Sequence, residues 1–295
     1  MSFKKSVVPK IINGRKAHFV RKRLVLLLLW QVLKKSGNPW KTFREVKKIR
    51  KFRASLHGNQ KILKFVRSES QYFWAPENYG FPSNNLKNFI QQEFLRNSKT
   101  EYSELSRIPQ QTIIWGITNR CPLSCKHCYD WDNIDVKDHL NLEQLKQILV
   151  KIELQGIRHV QLSGGEPLSR FNDLISIIHE ASQRIDFWLL TSGFGLTKEK
   201  AQALKEAGLK GVNISLDHWD ETAHNDFRNN KKSFEWVLKA IENCRKAGIM
   251  VSLSLCATRE FTTKENLSLY LDLAKQGGVH FVRILEPRKV GNFSN

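Results

Sequence analysis

From about residue 112 the chain alternates short apolar runs with amphipathic stretches. The runs Thr112–Thr118, His159–Leu162, Phe187–Leu190, Gly211–Leu216, Met250–Ala257 and Val279–Leu285 read as strands. Between them, Asn141–Gln155, Phe171–Gln183, Lys198–Ala207, Ser233–Ala247 and Lys264–Gln276 carry apolar residues at helical spacing. Asn141 stands where a helix cap belongs, and Gly156, Gly208, Gly248 and Gly277 stand where helices stop. Strands that alternate with helices pair in parallel through right-handed crossovers. Six such units without a reversal predict an α/β fold, a partial six-stranded (β/α)6 parallel barrel of TIM-like type.

Residues 1–111 break this beat. Ala17–Lys35 and Lys41–Leu56 read as basic helices separated by Gly37-Asn38-Pro39. Lys61–Arg67 and Gln71–Ala75 read as a short hairpin, and Leu86–Arg96 as a helix with Leu86, Phe89, Ile90 and Phe94 on one face. The change of pattern falls between Asn97 and Gln111. It divides the chain into a basic, mostly helical N-terminal extension, residues 1–110, and a core, residues 111–295.

Charge sharpens that division. The formal net charge is +20, and residues 1–70 hold 20 Lys and Arg against two acids, Glu45 and Glu69, hence 20 − 2 = +18. The remaining residues hold 28 against 26, hence +2. The extension, not the core, therefore predicts a polyanionic contact: an anionic membrane surface, nucleic acid or an acidic partner protein. Its apolar run Leu24–Leu33 is shorter than the about 20 residues that span a bilayer. Arg21-Lys22-Arg23 precede the run, and Lys34-Lys35 occupy the place of a signal-peptide cleavage site. The expectation is a cytoplasmic protein, either with this helix buried against the barrel or with an in-plane, peripheral membrane anchor.

The unusual polar and glycine-rich segments all follow strands. After the first comes Cys121-Pro122-Leu123-Ser124-Cys125-Lys126-His127-Cys128, a C-x3-C-x2-C loop. Gly164-Gly165-Glu166-Pro167 follows the second strand and Thr191-Ser192-Gly193 the third. Ser215 and Asp217 close the fourth, and Thr258-Arg259 follow the fifth. In such barrels the chemistry gathers at these strand ends. With five cysteines in 295 residues there is no disulfide scaffold, and three clustered cysteines favour a metal. Three thiolates can hold three corners of an iron–sulfur cube and leave one iron open to a ligand. The other reading is a structural zinc site completed by His127 or a distant residue. That site would serve a binding module without turnover. Cys244 and Cys256 read as core residues, and Tyr129 and Trp131 as packing or a cover for the cysteine loop.

Over residues 112–290 these motifs resemble the radical S-adenosylmethionine (radical SAM) superfamily, whose signature is the C-x3-C-x2-C loop. The resemblance implies that Cys121, Cys125 and Cys128 ligate a [4Fe-4S] cluster whose fourth iron binds S-adenosyl-L-methionine. It further implies reductive cleavage to a 5′-deoxyadenosyl radical that takes hydrogen from a substrate, fed by an external flavodoxin- or ferredoxin-like electron donor. Gly164, Gly165 and Glu166 match the motif for the cofactor's amino group. Ser192 stands in the strand-three motif where Asn is usual, and Ser215 and Asp217 stand at cofactor or substrate positions. Ser215-Leu216-Asp217 with His224-Asn225-Asp226-Phe227-Arg228 looks like the branch of the molybdenum-cofactor cyclase and the peptide maturases, although Asn229 replaces the usual Gly. No cysteine follows Cys256, so the branch's C-terminal auxiliary-cluster domain is not expected.

Overall fold

A computed structural model describes residues 9–58, 62–97 and 112–293. The chain divides into two compact units, Lys10–Gln111 and Thr112–Asn295. The expected boundary segment, residues 98–111, and the hairpin's Lys61 lie outside the described residues.

In the first unit, β1 (Lys10–Ile12) leads into α1 (Gly14–Ser36) and α2 (Pro39–His57), followed by β2 (Phe65–Ser68), β3 (Gln71–Phe73) and α3 (Asn84–Asn97). Gly37, left-handed at φ 63°, ends α1, and the Asn38 side chain accepts from the backbone N–H groups of Trp40 and Lys41 to start α2. The expected hairpin is present, and β1, which the hydrophobic pattern did not reveal, adds a third antiparallel strand. Val20, Val32, Phe65, Phe81, Leu86 and Ile90 form this unit's own core, with Leu24, Leu27 and Leu28 packed on it. The Leu24–Leu33 run thus has its inner side in the core of the N-terminal unit.

The second unit runs β4 (Thr112–Gly116), α4 (Leu142–Leu154), β5 (His159–Ser163), α5 (Phe171–Ala181), β6 (Asp186–Thr191), α6 (Lys198–Ala207), β7 (Gly211–Ser215), α7 (Glu221–Arg228), α8 (Ser233–Lys246), β8 (Met250–Cys256), α9 (Lys264–Gln276) and β9 (Phe281–Leu285). The strands pair in chain order, all parallel, as the partial (β/α)6 barrel requires. Asn141 caps α4 with a reciprocal box: its side chain accepts from Gln144 N–H, and the Gln144 side chain accepts from Asn141 N–H. Strands β5 and β7 are buried almost throughout because helices cover one face and the barrel interior the other. Val160, Leu162, Val212, Ile214, Leu253 and Leu255 join the core under the helices. The alternate positions are polar: Asn213 pairs with Ser252, and Ser215 with Ser254. Ser215 therefore faces away from that core.

Candidate functional site

Parallel order and equal strand polarity bring the C-terminal ends of β4 to β8 to one rim, and the expected site residues gather there. The first link joins the cysteine loop to the glycine pair. Gly165 N–H donates to Thr118 O at 2.8 Å and Glu166 N–H to Arg120 O at 2.7 Å. Both glycines are required by this approach. A Cβ on Gly164, whose φ is +137°, would lie 2.2 Å from Thr118 O, and one on Gly165 would lie 2.5 Å from Arg120 O. Gly164→Ala is accordingly expected to displace residues 118–120 and to cost at least about 2 kcal/mol. Thermal unfolding checks the stability, and iron bound per chain after reconstitution checks the loop.

Glu166 is fully buried and ties β5 to β6. Its carboxylate accepts from Thr191 Oγ1 (2.8 Å), Ser192 N–H (2.8 Å), Ser192 Oγ (2.5 Å) and Leu168 N–H (3.2 Å). Burial nevertheless raises its pKa, because desolvation outweighs these donors. Ser192 thus stands against the glutamate rather than capping a turn alone.

A second link joins the cysteine loop to β7. Arg228, at the end of α7, forks onto Asp217 Oδ2 with both nitrogens at 2.6 Å and reaches Cys125 Sγ at 3.6 Å. Asp217 Oδ1 accepts from Cys256 N–H, and Asp217 N–H donates to His224 Nδ1. Burial pushes the Asp217 carboxyl up, but Arg228 more than offsets it with help from His127, His224 and the Cys256 amide, so the net shift is downward. For Arg228 burial works against the charge, and Asp217 and Cys125 reverse this to raise its pKa. His224 is driven down to about 3, chiefly by burial, and stays neutral. Asp217 does not cap the following helix. Asp220 does, accepting from Ala223 N–H. Ser215 closes β7 half-buried.

Several supports of the cysteine loop carried no signal in the sequence pattern. Lys126 N–H donates to Phe227 O, and Asn229 Nδ2 to Ser124 Oγ, so the C-terminal end of α7 and its cap hold the loop. Asp138 accepts from Thr118 Oγ1 and Asn119 N–H. Asn292 N–H donates to Cys128 O at 2.9 Å and its Nδ2 to Cys125 O at 3.3 Å. Tyr129 and Trp131 are 66% and 49% exposed, which is no sealed cover. Cys244 is buried as expected, Cys256 is half-buried beside Asp217, and Arg259 is exposed.

The loop supplies three thiols, the donors that an iron–sulfur cluster would use. Burial pushes the Cys121 thiol up to about 12 and raises Cys128 as well, so iron binding there must release protons, since the thiolate is the ligand. Among the described residues no three His, Cys, Asp or Glu side chains gather as ligands of one ion. A cubane asks for something else, one thiolate per iron, with the sulfurs apart. His127, the nearest candidate for a zinc ligand, stacks on Phe227 at 4.7 Å with an interplanar angle of 17°.

The sequence matches the model of the radical SAM superfamily over residues 115–270. It is 32% identical over 179 residues to GTP 3',8-cyclase of Campylobacter fetus, an alignment covering 58% of this chain and 54% of the relative. It is 32% identical over 171 residues to Fe-coproporphyrin III synthase of Methanosarcina barkeri, covering 56% and 42%. The chain therefore spans about half the length of these relatives. In fold it resembles Streptococcus suis SuiB bound to the precursor peptide SuiA, with a TM-score of 0.56 at 14% identity over 86% of this chain and 53% of SuiB. SuiB has also been solved with S-adenosylmethionine bound.

Proposed function

We propose, from the premise that this chain belongs to the radical SAM superfamily, that it cleaves S-adenosyl-L-methionine reductively and uses the product to abstract hydrogen from a substrate. A [4Fe-4S] cluster with bound S-adenosylmethionine supplies the one-electron bond cleavage of this family. The chain's own residues do the rest. Cys121, Cys125 and Cys128 hold three irons. Gly164 and Gly165 let backbone approach the cofactor, and Glu166, fixed by Thr191 and Ser192, offers its carboxylate to an ammonium group. Ser215 and Asp217 serve the cofactor's polar end from β7, with Arg228 holding Asp217 in place. Residues 111–295 form the catalytic core, residues 1–110 an appended arm, and an external flavodoxin- or ferredoxin-like protein delivers the electron.

The observation that carries this reading is the pair of backbone bonds from Gly165 and Glu166 to Thr118 and Arg120, which brings the glycine–glutamate loop against the cysteine loop. A structural zinc knuckle has no use for that neighbour. The matched relatives perform different reactions on the shared core, so the core assigns the radical step and the rim loops assign the substrate.

Oxygen-free reconstitution tests it. The chain is expected to bind about four irons and four sulfides, and, once reduced, to convert S-adenosylmethionine to 5′-deoxyadenosine and methionine. One zinc per chain and no 5′-deoxyadenosine would establish a non-catalytic module instead.

A further inference from the structure

The outer face of the first two helices carries side chains that the proposed radical chemistry does not use. Over Leu24–Leu33, α1 is apolar on both sides. Val20, Leu24, Leu27 and Val32 point into the core of the N-terminal unit. On the opposite side Phe19, Leu26 and Trp30 recur at i, i+7 and i+11 along one line, and are 62%, 63% and 61% exposed. A helix that is apolar all round is normally buried all round. Trp40 and Phe43, in the first turns of α2, are 83% and 65% exposed.

The charges on this face have one sign. α1 carries seven Lys and Arg and no acid, and α2 carries seven and one acid. That acid, Glu45, is buried and paired with Lys48 at 3.4 Å. Lys16, Lys22, Arg23 and Lys34 are exposed and flank the apolar line on either side. The Arg23 guanidinium lies over the rings of Phe19 and Phe81, 5.9 Å from each centroid. Among the described residues no helix is long and apolar enough to cross a membrane.

We propose that this face rests in the plane of an anionic lipid bilayer. Phe19, Leu26, Trp30, Trp40 and Phe43 enter the boundary between headgroups and acyl chains, and the flanking Lys and Arg meet the lipid phosphates. Nucleic acid would satisfy the cations and stack on exposed rings, but it offers nothing to Leu26. The inference rests on charge and exposure in the N-terminal unit and stands apart from the radical reading.

Co-sedimentation of the full chain with vesicles of phosphatidylcholine, alone or mixed with phosphatidylglycerol, tests it. The chain is expected to pellet with the mixed vesicles only. Two combined variants are expected to lower the bound fraction at least about ten-fold with an unchanged circular dichroism spectrum: Phe19→Ser/Leu26→Ser/Trp30→Ser, and Lys16→Gln/Lys22→Gln/Arg23→Gln/Lys34→Gln. Retained binding by the apolar variant overturns the proposal. So does indifference to vesicles combined with binding of duplex DNA. A wild-type dimer that the apolar variant turns into a monomer, without vesicle binding by either, also overturns it by making a second copy the occupant.

Discussion

Cys121→Ala/Cys125→Ala/Cys128→Ala protein is expected to bind no iron after reconstitution and to form 5′-deoxyadenosine no faster than a protein-free control. On the proposed assignment each thiolate holds its own iron, so no neighbour substitutes for it. His127 is committed to the ring of Phe227, and Cys256 stands beside Asp217 on another strand. The fold is expected to survive, because the loop is anchored through its backbone: to Gly165 and Glu166 on one side, to Phe227 and Asn292 on the other. Cys121 and Cys128 are half-buried, so truncating each costs about 1 kcal/mol or less, while buried Cys125, which also loses its contact with Arg228, costs about 1–3 kcal/mol. The combination of an intact melting transition with zero iron separates loss of ligands from loss of structure. Cleavage of S-adenosylmethionine that persists in this variant would end the cluster assignment.

Arg228→Ala is expected to be the most destabilising single change at the site. It would leave the Asp217 carboxylate, 3% exposed in its side chain, with no cation. Removing one member of a buried ion pair costs about 3–5 kcal/mol. For a chain of this size that lowers the melting temperature by roughly 5–8 °C. Arg228→Lys keeps the charge but not the planar fork that serves two Asp217 contacts and Cys125 at once, and falls between the two. Asp217→Leu/Arg228→Met removes both charges together and is expected to recover most of the stability, since apolar replacements of buried pairs are often neutral. It is not expected to recover cleavage of S-adenosylmethionine. A double variant as unstable as Arg228→Ala would show that the pair matters through packing rather than charge.

The barrel was legible in the sequence because parallel strands buried on both faces must be continuous apolar runs, and Val160-Gln161-Leu162 or Met250–Cys256 have little other use. The site followed from the same logic, since parallel order sends every strand's polar exit to one rim. What escaped was structure made by polar contacts at long range. α7 is eight residues long and buries His224 and Arg228, two side chains that a hydrophobic pattern assigns to solvent. Its N-terminal signal, Asp220 three residues before Ala223, was readable but short. β1 is three residues long, and only its register with Phe65–Arg67 makes it a strand. Asn292 reaches Cys125 across 167 residues, a distance at which no local rule operates. The Leu24–Leu33 run is apolar in the sequence, but periodicity reveals that a face is buried and not what buries it; here Val20, Phe65 and Leu86 do so from within the same unit.

Arg228 meets Cys125 across 103 residues of chain. During synthesis the three thiols therefore leave the ribosome well before the helix that clamps their loop. For that interval they are open ligands without a scaffold, available to any thiophilic metal or oxidant the cell supplies. On the proposed assignment, cluster delivery belongs after the fourth strand–helix unit has closed, when Arg228 and the loop it contacts are both in place.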